Sequence, residues 1–184
     1  TVVHFGQVPA SLEQSSGGQL QAGSPYLITE LAEGGSLAAL CGRMQWPQVR
    51  EVLLALLDAL AHTHARGLVH LDIKPRNVLL GGVRRGVKLC DFGLARPLED
   101  TGSKGAFKAS GTPSYMAPEQ FLGDWRELGP HTDLYAIGGL AWTTLTGTPP
   151  FGQLGLIQAR AAHSRRKLPP LRATCAVPEG ADAW

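Results

Sequence analysis

The chain is poor in cysteine, in excess charge and in long apolar runs. Its three cysteines, Cys41, Cys90 and Cys175, are odd in number and widely spaced along 184 residues. That pattern argues against a disulfide framework and for reduced thiols in a cytoplasmic setting. Lys and Arg number 17 against 15 Asp and Glu, a formal net charge of +2. So small an excess gives no electrostatic case for nucleic acid or an anionic membrane as partner. The longest apolar run, Val52 to Ala61, contains Asp58 and is too short to cross a bilayer. No basic start followed by an apolar stretch marks a signal peptide, and no internal repeat is visible. What the chain does have is core-forming capacity: 43% of residues are hydrophobic, over a length that suits one domain. With Gly 23 and Pro 13, that domain should be rich in loops, and the start at Thr1 suggests a processed chain or a fragment.

The order of elements reads as a little sheet first and mostly helix after, an α+β pattern. Thr1 to Val8 and Tyr26 to Glu30 read as strands. Residues 9 to 24 are rich in Ser, Gly and Gln, lack periodicity, and are expected to form a flexible loop. Ser36 is placed to cap a short helix running to Leu40. The clearest helix carries Val49, Val52, Leu53, Leu56, Leu57 and Leu60 at helical spacing, with Pro47 suited to its first turn and Gly67 to its end. Val78 to Leu80 and Val87 to Cys90 flank Gly81-Gly82-Val83-Arg84-Arg85-Gly86, a hairpin signal. Thr132 to Thr146 is apolar on nearly all sides, through Leu134, Tyr135, Ile137, Leu140, Trp142 and Leu145, and is expected to be a buried helix. Leu156 to Ala162 is a last, weaker helix before a Pro-rich tail.

The chemistry concentrates after the first long helix, in His70-Leu71-Asp72-Ile73-Lys74-Pro75-Arg76-Asn77. A carboxylate, a lysine two residues on and an amide five on do not easily share one strand or helix face, but in a loop they can converge. Asp91-Phe92-Gly93 follows fourteen residues past Asn77, directly after an apolar strand. Asn77 and Asp91 supply hard oxygens, and Mg²⁺ takes one or two such ligands plus phosphate and water. Asp72 can accept a proton from a hydroxyl, and Lys74 can offset charge on a phosphoryl oxygen. Gly111-Thr112-Pro113-Ser114-Tyr115-Met116-Ala117-Pro118-Glu119 closes the polar stretch that begins at Gly93.

These three segments, in this order and with these gaps, resemble the catalytic loop, the Asp-Phe-Gly and the Ala-Pro-Glu of the eukaryotic-type (Hanks-type) serine/threonine protein kinases. The resemblance covers essentially the whole chain. It implies a kinase-like fold, mainly the helical C-terminal lobe, with residues 1–30 as remnant strands of the N-terminal lobe, 31–35 as hinge and 36–184 as C-terminal lobe. It implies Asp72 as catalytic base, Lys74 as the phosphate-facing lysine typical of Ser/Thr-directed members, and Thr112 as the threonine tying the substrate loop to both. Asn77 and Asp91 resemble the two metal ligands. On the nucleotide side Thr29 resembles the gatekeeper, Glu30 and Ala32 the backbone partners of adenine, and Leu79 the adenine floor, with Ser36 also among the nucleotide-binding residues. Asp133 resembles the helix aspartate that anchors the catalytic loop, with a plain helix N-terminal acid as its alternative. His70 and Phe92 resemble members of the packed column aligning the two lobes. ATP, Mg²⁺ and a protein substrate with a Ser/Thr acceptor are the implied cofactors and partners.

Other groups read as structural. His62 and His64 stand two apart on a helix and share no face, so packing or solvent exposure is expected rather than a metal site. Arg84-Arg85 and Arg165-Arg166-Lys167 are expected to be solvated turns, and Cys90 a strand residue rather than a reactive thiol.

The departures from the family pattern also carry expectations. No G-x-G-x-x-G precedes the hinge, and the first lysine in the chain is Lys74, so the strand lysine that holds the α/β-phosphates is absent from it. The chain also stops at Trp184, which suggests a domain cut at both ends and a Glu119 without its usual basic partner; if buried unpaired, that costs about 3–5 kcal/mol. Leu71 replaces the arginine that receives an activation-loop phosphate in many members, and Lys108 stands where the acceptor usually sits. Control by phosphorylation at that site is therefore not expected, while Thr101, Ser103 and Ser110 remain candidate modification sites. Two alternatives stand beside a Ser/Thr kinase: a small-molecule phosphotransferase of kinase-like fold, and a pseudokinase-like binding scaffold.

Overall fold

The computed structural model describes residues 2–81, 86–92, 96–97, 111–123, 125–165 and 167–181. The hairpin tip at Gly82 to Arg85, together with Gly93, Lys108 and the three candidate modification sites, lies outside them. The chain begins with a hairpin of β1 (Val2–Gln7) and β2 (Pro25–Thr29), antiparallel with Phe5 opposite Leu27 and an irregularity between Val2 and His4. The segment expected to be a flexible loop contains a short helix, α1 (Ala10–Ser15). Pro9 stands at its N-terminus and Ser15 Oγ bonds back to Ser11 O at 3.1 Å, so the turn closes locally. None of its residues is buried, and without an apolar stripe it leaves no periodic signal.

Two helices make the core. In α2 (Trp46–His64), Val49, Val52, Leu56 and Leu60 are buried and Leu53 packs beside them, as the spacing predicts, whereas Leu57 stays exposed. Pro47 occupies the first turn, where its missing N–H leaves no gap, and the Gln45 N–H donates to Gln48 Oε1 at 2.9 Å. α3 (Pro130–Thr146) contributes Ala136, Ile137, Leu140 and Leu145 to the same cluster, together with Leu37, Met44, Ile73 and Val78 from the connecting segments. The expectation of burial on nearly all sides needs one correction: Leu134 is 50% exposed, because α3 buries the face carrying Asp133, Ala136, Ile137 and Leu140. Buried Thr143 and Thr144 satisfy their hydroxyls on the carbonyls of Gly139 and Leu140, both at 2.8 Å.

The C-terminal carbonyls of α3 find partners from far along the chain. Gly42 N–H bonds Thr144 O at 2.8 Å, and Thr174 N–H bonds Leu145 O at 2.8 Å. Gly147, at φ 84°, ends the helix; a Cβ on Gly42 would lie 2.9 Å from its Cα, so the two backbones meet this closely only because residue 42 is glycine. α4 (Leu156–Ser164) packs through Ala159 and His163 against a second, smaller cluster with Met116 and Phe121.

Among the described residues two further short strand pairs sit on this helical base. β3 (Leu68–Val69) pairs with β6 (Arg96–Pro97), and β4 (Val78–Leu80) pairs with β5 (Val87–Leu89), placing Leu79 opposite Lys88. Ser36 adds a bridge to Leu79 from the other side. The expected hairpin and the small-sheet, mostly helical α+β arrangement are thus both present.

Candidate active site

The loop from His70 to Asn77 leaves β3 and is held from beneath by α3. Asp133, with no solvent exposure, accepts the N–H of His70 on Oδ2 and the N–H of Leu71 on Oδ1, each at 2.9 Å. His64, at the end of α2, adds Nε2 at 2.7 Å from the same Oδ2. A carboxylate accepting two backbone donors and an imidazole acts as a structural hub, which separates it from a plain helix N-terminal acid. These bonds force an unusual backbone: Leu71 has φ 67°, a conformation that side chains with a Cβ rarely adopt. Its carbonyl is taken up by Gln120 Nε2 at 2.9 Å, so both of its peptide groups are tied. Backbone strain of this kind persists only where the surroundings over-determine it, and it collects at functional sites.

The His70 ring, fully buried, reaches Cys90 O with Nε2 at 3.1 Å and accepts the Asp72 N–H on Nδ1 at 3.3 Å. Both bonds together select the neutral tautomer with its proton on Nε2. Phe92 lies against the ring, centroids 4.6 Å apart. One histidine therefore links the His70–Asn77 loop to the strand end before Asp91.

On that support four side chains converge. Thr112 donates to Asp72 Oδ1 twice, from its hydroxyl at 3.0 Å and from its N–H at 3.1 Å. Lys74 Nζ lies 2.6 Å from Asp72 Oδ2 and donates to Thr112 Oγ1 at 3.0 Å. Asn77 Nδ2 donates to the Asp72 carbonyl at 2.8 Å and approaches Oδ2 at 3.2 Å. Each oxygen of Asp72 thus has a fixed direction, set by two donors on each. A narrow gap lined by Leu71, Asp72, Ile73, Thr112, Tyr115, Met116 and Ala136, with no room for a water molecule, lies at this point. The segment after Gly111 is fastened where Ser114 Oγ donates to Gly152 O at 3.1 Å. Tyr115 has its phenol pushed above the usual range, chiefly by burial, so it stays protonated there.

Asp91 is exposed and, like Leu71, sits at positive φ, here 64°. The Cys90 N–H bonds Asn77 O at 2.9 Å, which brings the residue before Asp91 onto the backbone of Asn77. Because the Asn77 amide nitrogen is committed to Asp72, its Oδ1 is the end left for a cation. Among the described residues no group of three or more His, Cys, Asp or Glu gathers as a metal site. An amide oxygen and one exposed carboxylate fit Mg²⁺, which fills the remainder of its shell with phosphate and water.

The residues expected around a nucleotide base divide into two groups. Ser36 and Leu79 are bridged to one another, and Gly34 N–H bonds Leu80 O at 3.0 Å. Glu30 and Ala32 are partly buried in the stretch leading there, whereas Thr29, at the end of β2, is exposed.

Three residues near the site were not anticipated in their roles. His64 is neither an isolated packing residue nor a surface one, since it faces Asp133. Gln120 joins the catalytic loop to the Ala117-Pro118-Glu119 turn through Leu71 O and the Ala117 N–H. Lys88 pairs with Glu30 at 3.1 Å. Glu119, expected to lack a partner, lies 3.5 Å from His131 Nε2, yet its buried Oε1 makes no hydrogen bond because that ring nitrogen lies 3.0 Å from Glu127 O. Burial raises the thiol pKa of Cys90, and the nearby Asp91 charge raises it further, in keeping with an unreactive residue. The Cys41 thiol is likewise raised by burial, and Cys41, Cys90 and Cys175 are all free.

Comparison with known proteins supplies the lineage. The family model described as the protein kinase domain matches residues 19–176. The chain belongs to the protein kinase family. This kinase chain is 44% identical over 154 residues to the serine/threonine-protein kinase Pkn1 of Myxococcus xanthus, covering 79% of the chain and 22% of that protein. It is 32% identical over 152 residues to the serine/threonine-protein kinase PknB of Mycobacterium tuberculosis, covering 79% and 24%. It is 37% identical over 131 residues to a death-associated protein kinase related protein of Drosophila melanogaster, covering 68% and 19%. The chain thus spans about a fifth to a quarter of the length of these relatives.

Proposed function

We propose that this kinase chain carries the catalytic lobe of a serine/threonine protein kinase, transferring the γ-phosphoryl of ATP to a Ser or Thr hydroxyl of a protein substrate. The observation that carries the reading is the double fastening of Asp72, with Thr112 on one oxygen and Lys74 on the other. Thr112 belongs to the Gly111–Glu119 segment, so an acceptor strand seated on that segment would also orient the base. In the proposed reaction the substrate hydroxyl donates its hydrogen bond to Asp72. Its oxygen bonds to the γ-phosphorus as the bond to the β,γ-bridging oxygen breaks, and the proton passes to Asp72. Lys74, beside Asp72 and Thr112, offsets charge on the transferring phosphoryl group. Asn77 and Asp91 are the residues that would hold Mg²⁺, whose contribution is to neutralise the phosphate oxygens.

Residues 1–30 are read as strands of the nucleotide lobe, 31–35 as the hinge and 36–184 as the catalytic lobe. Thr29, Glu30, Ala32, Ser36 and Leu79 are read as the adenine side of the cleft. No helix among the described residues is long and apolar enough to cross a membrane. Three free thiols and a need for ATP support a cytoplasmic placement of this domain.

The test is phosphoryl transfer by the full-length protein from labelled ATP·Mg²⁺, with Ser/Thr peptides, sugars and aminoglycosides offered as acceptors. Label is expected on peptide Ser/Thr alone, and Asp72→Asn should lower its rate about 10²–10⁴-fold. Label on a small molecule instead would favour a small-molecule phosphotransferase, and nucleotide binding with no transfer would favour a scaffold.

A further inference from the structure

The stretch from Glu30 to Ser36 is fastened to the β4–β5 hairpin at both ends, by two different chemistries. At its far end the fastening is backbone. Gly34 N–H bonds Leu80 O at 3.0 Å, Leu80 N–H bonds Gly35 O at 2.9 Å, and Ser36 bridges Leu79. The approach is so close that a Cβ on Gly34 would lie 2.8 Å from Leu80 O. At its near end the fastening is an ion pair, Lys88 Nζ to Glu30 Oε1 at 3.1 Å. Lys88 is the cross-strand partner of Leu79, so the ammonium group rises from the strand beside the expected adenine floor.

We propose that Lys88 is a positioning residue for the nucleotide. Acting through Glu30, it holds the start of the hinge against the hairpin, so that the backbone groups of Glu30 and Ala32 face a purine ring over Leu79 at a set distance. The proposal rests on reading the site as a nucleotide-dependent phosphotransferase. Two further observations support it. The side chains of Lys88 and Glu30 are only 23% and 9% exposed, so their attraction is less screened than that of a rim pair. Between the two fastenings Leu31 is 78% exposed, so burial of its side chain does not hold the stretch in place. Releasing the near end leaves the segment to be ordered when nucleotide binds, and that ordering subtracts from affinity.

The experiment uses the full-length protein with Lys88→Met, Glu30→Gln and the two combined. Amide exchange over residues 31–35 is read without nucleotide; KM for ATP, KM for peptide and kcat are read in the transfer assay. Lys88→Met should speed exchange and raise KM for ATP about 3–10-fold while peptide KM and kcat stay within about twofold, and Glu30→Gln should speed exchange and raise KM for ATP by at least as much, a tenfold rise being about 1.4 kcal/mol. The combined variant should be no worse than Glu30→Gln alone, because the Lys88–Glu30 contact is already lost in that variant. Unchanged exchange and ATP KM in the single variants, or additive losses in the combined one, would overturn the proposal. A wild-type protein that transfers no phosphoryl group refutes the reading of the site instead. Exchange then decides the strap alone: faster in Lys88→Met supports it, unchanged refutes it.

Discussion

Two histidines, His64 partly buried and His163 fully buried, show how one residue type can serve opposite ends. His64 faces the Asp133 carboxylate at 2.7 Å and extends the support of the catalytic loop back into α2. His163, 2% exposed, is ringed by Phe121, Tyr135 and Phe151, with Tyr135 Oη 2.8 Å from its Nδ1. Burial lowers its pKa below the usual imidazole range, against a smaller upward pull from the Pro113 carbonyl. Folded protein therefore binds this proton less readily than unfolded chain. The stability contributed is complete above the unfolded pKa, about 6.5, and is lost as pH falls from there toward the lowered folded value. Denaturant melts between pH 7.5 and 5.5 should show stability declining toward acid, with a shallower slope in His163→Phe; identical slopes would assign the decline to other groups. The site residues that were legible in sequence, Asp72, Lys74, Asn77 and Thr112, lie in loops whose order along the chain carries their chemistry. His64 was not legible, because its partner stands 69 residues away and its spacing from His62 gives it no shared helix face. Lys88 and Gln120 were missed for the same reason, since nothing local in sequence points to Glu30 or to Leu71 O.

At the scale of elements, hydrophobic spacing located α2 and α3 well, because each buries a stripe in the same cluster. It missed α1, which buries nothing, and it overstated α3, where composition alone could not single out the face left open at Leu134. That contrast is measurable. Leu140, fully buried between the two helices, should cost about 2–5 kcal/mol on replacement by Ala, through lost transfer energy and the cavity left behind. Leu134→Ala should cost under about 1 kcal/mol, since half of that side chain already meets solvent. Urea unfolding of both variants checks the difference; equal losses would mean that the α2–α3 seam is not where stability resides. The seam matters for the site as well, because α2 carries His64 and α3 carries Asp133. Two helices packed through leucine and isoleucine thereby deliver two side chains to one carboxylate-centred hub under the catalytic loop.

Across the whole molecule, packing and chemistry are unevenly spread. The helical part holds the main core and the convergent polar cluster, whereas the β1–β2 hairpin exposes Val3, Phe5, Leu27 and Ile28. A two-stranded hairpin with so little burial of its own is a marginal structure. The stretch from Glu30 to Ser36 is accordingly where the two parts meet, through Glu30 and Lys88 at one end and Gly34 to Ser36 at the other. The central claim is that Asp72, Lys74 and Thr112 operate as one unit in phosphoryl transfer. The most direct test is kcat of the full-length protein with ATP·Mg²⁺ and a Ser/Thr peptide, measured for Asp72→Asn, Thr112→Val and both together. A double variant no slower than Asp72→Asn alone is the predicted result, because Thr112 acts through the carboxylate that Asp72→Asn removes. Losses that multiply, or an Asp72→Asn protein as fast as wild type, would contradict the account.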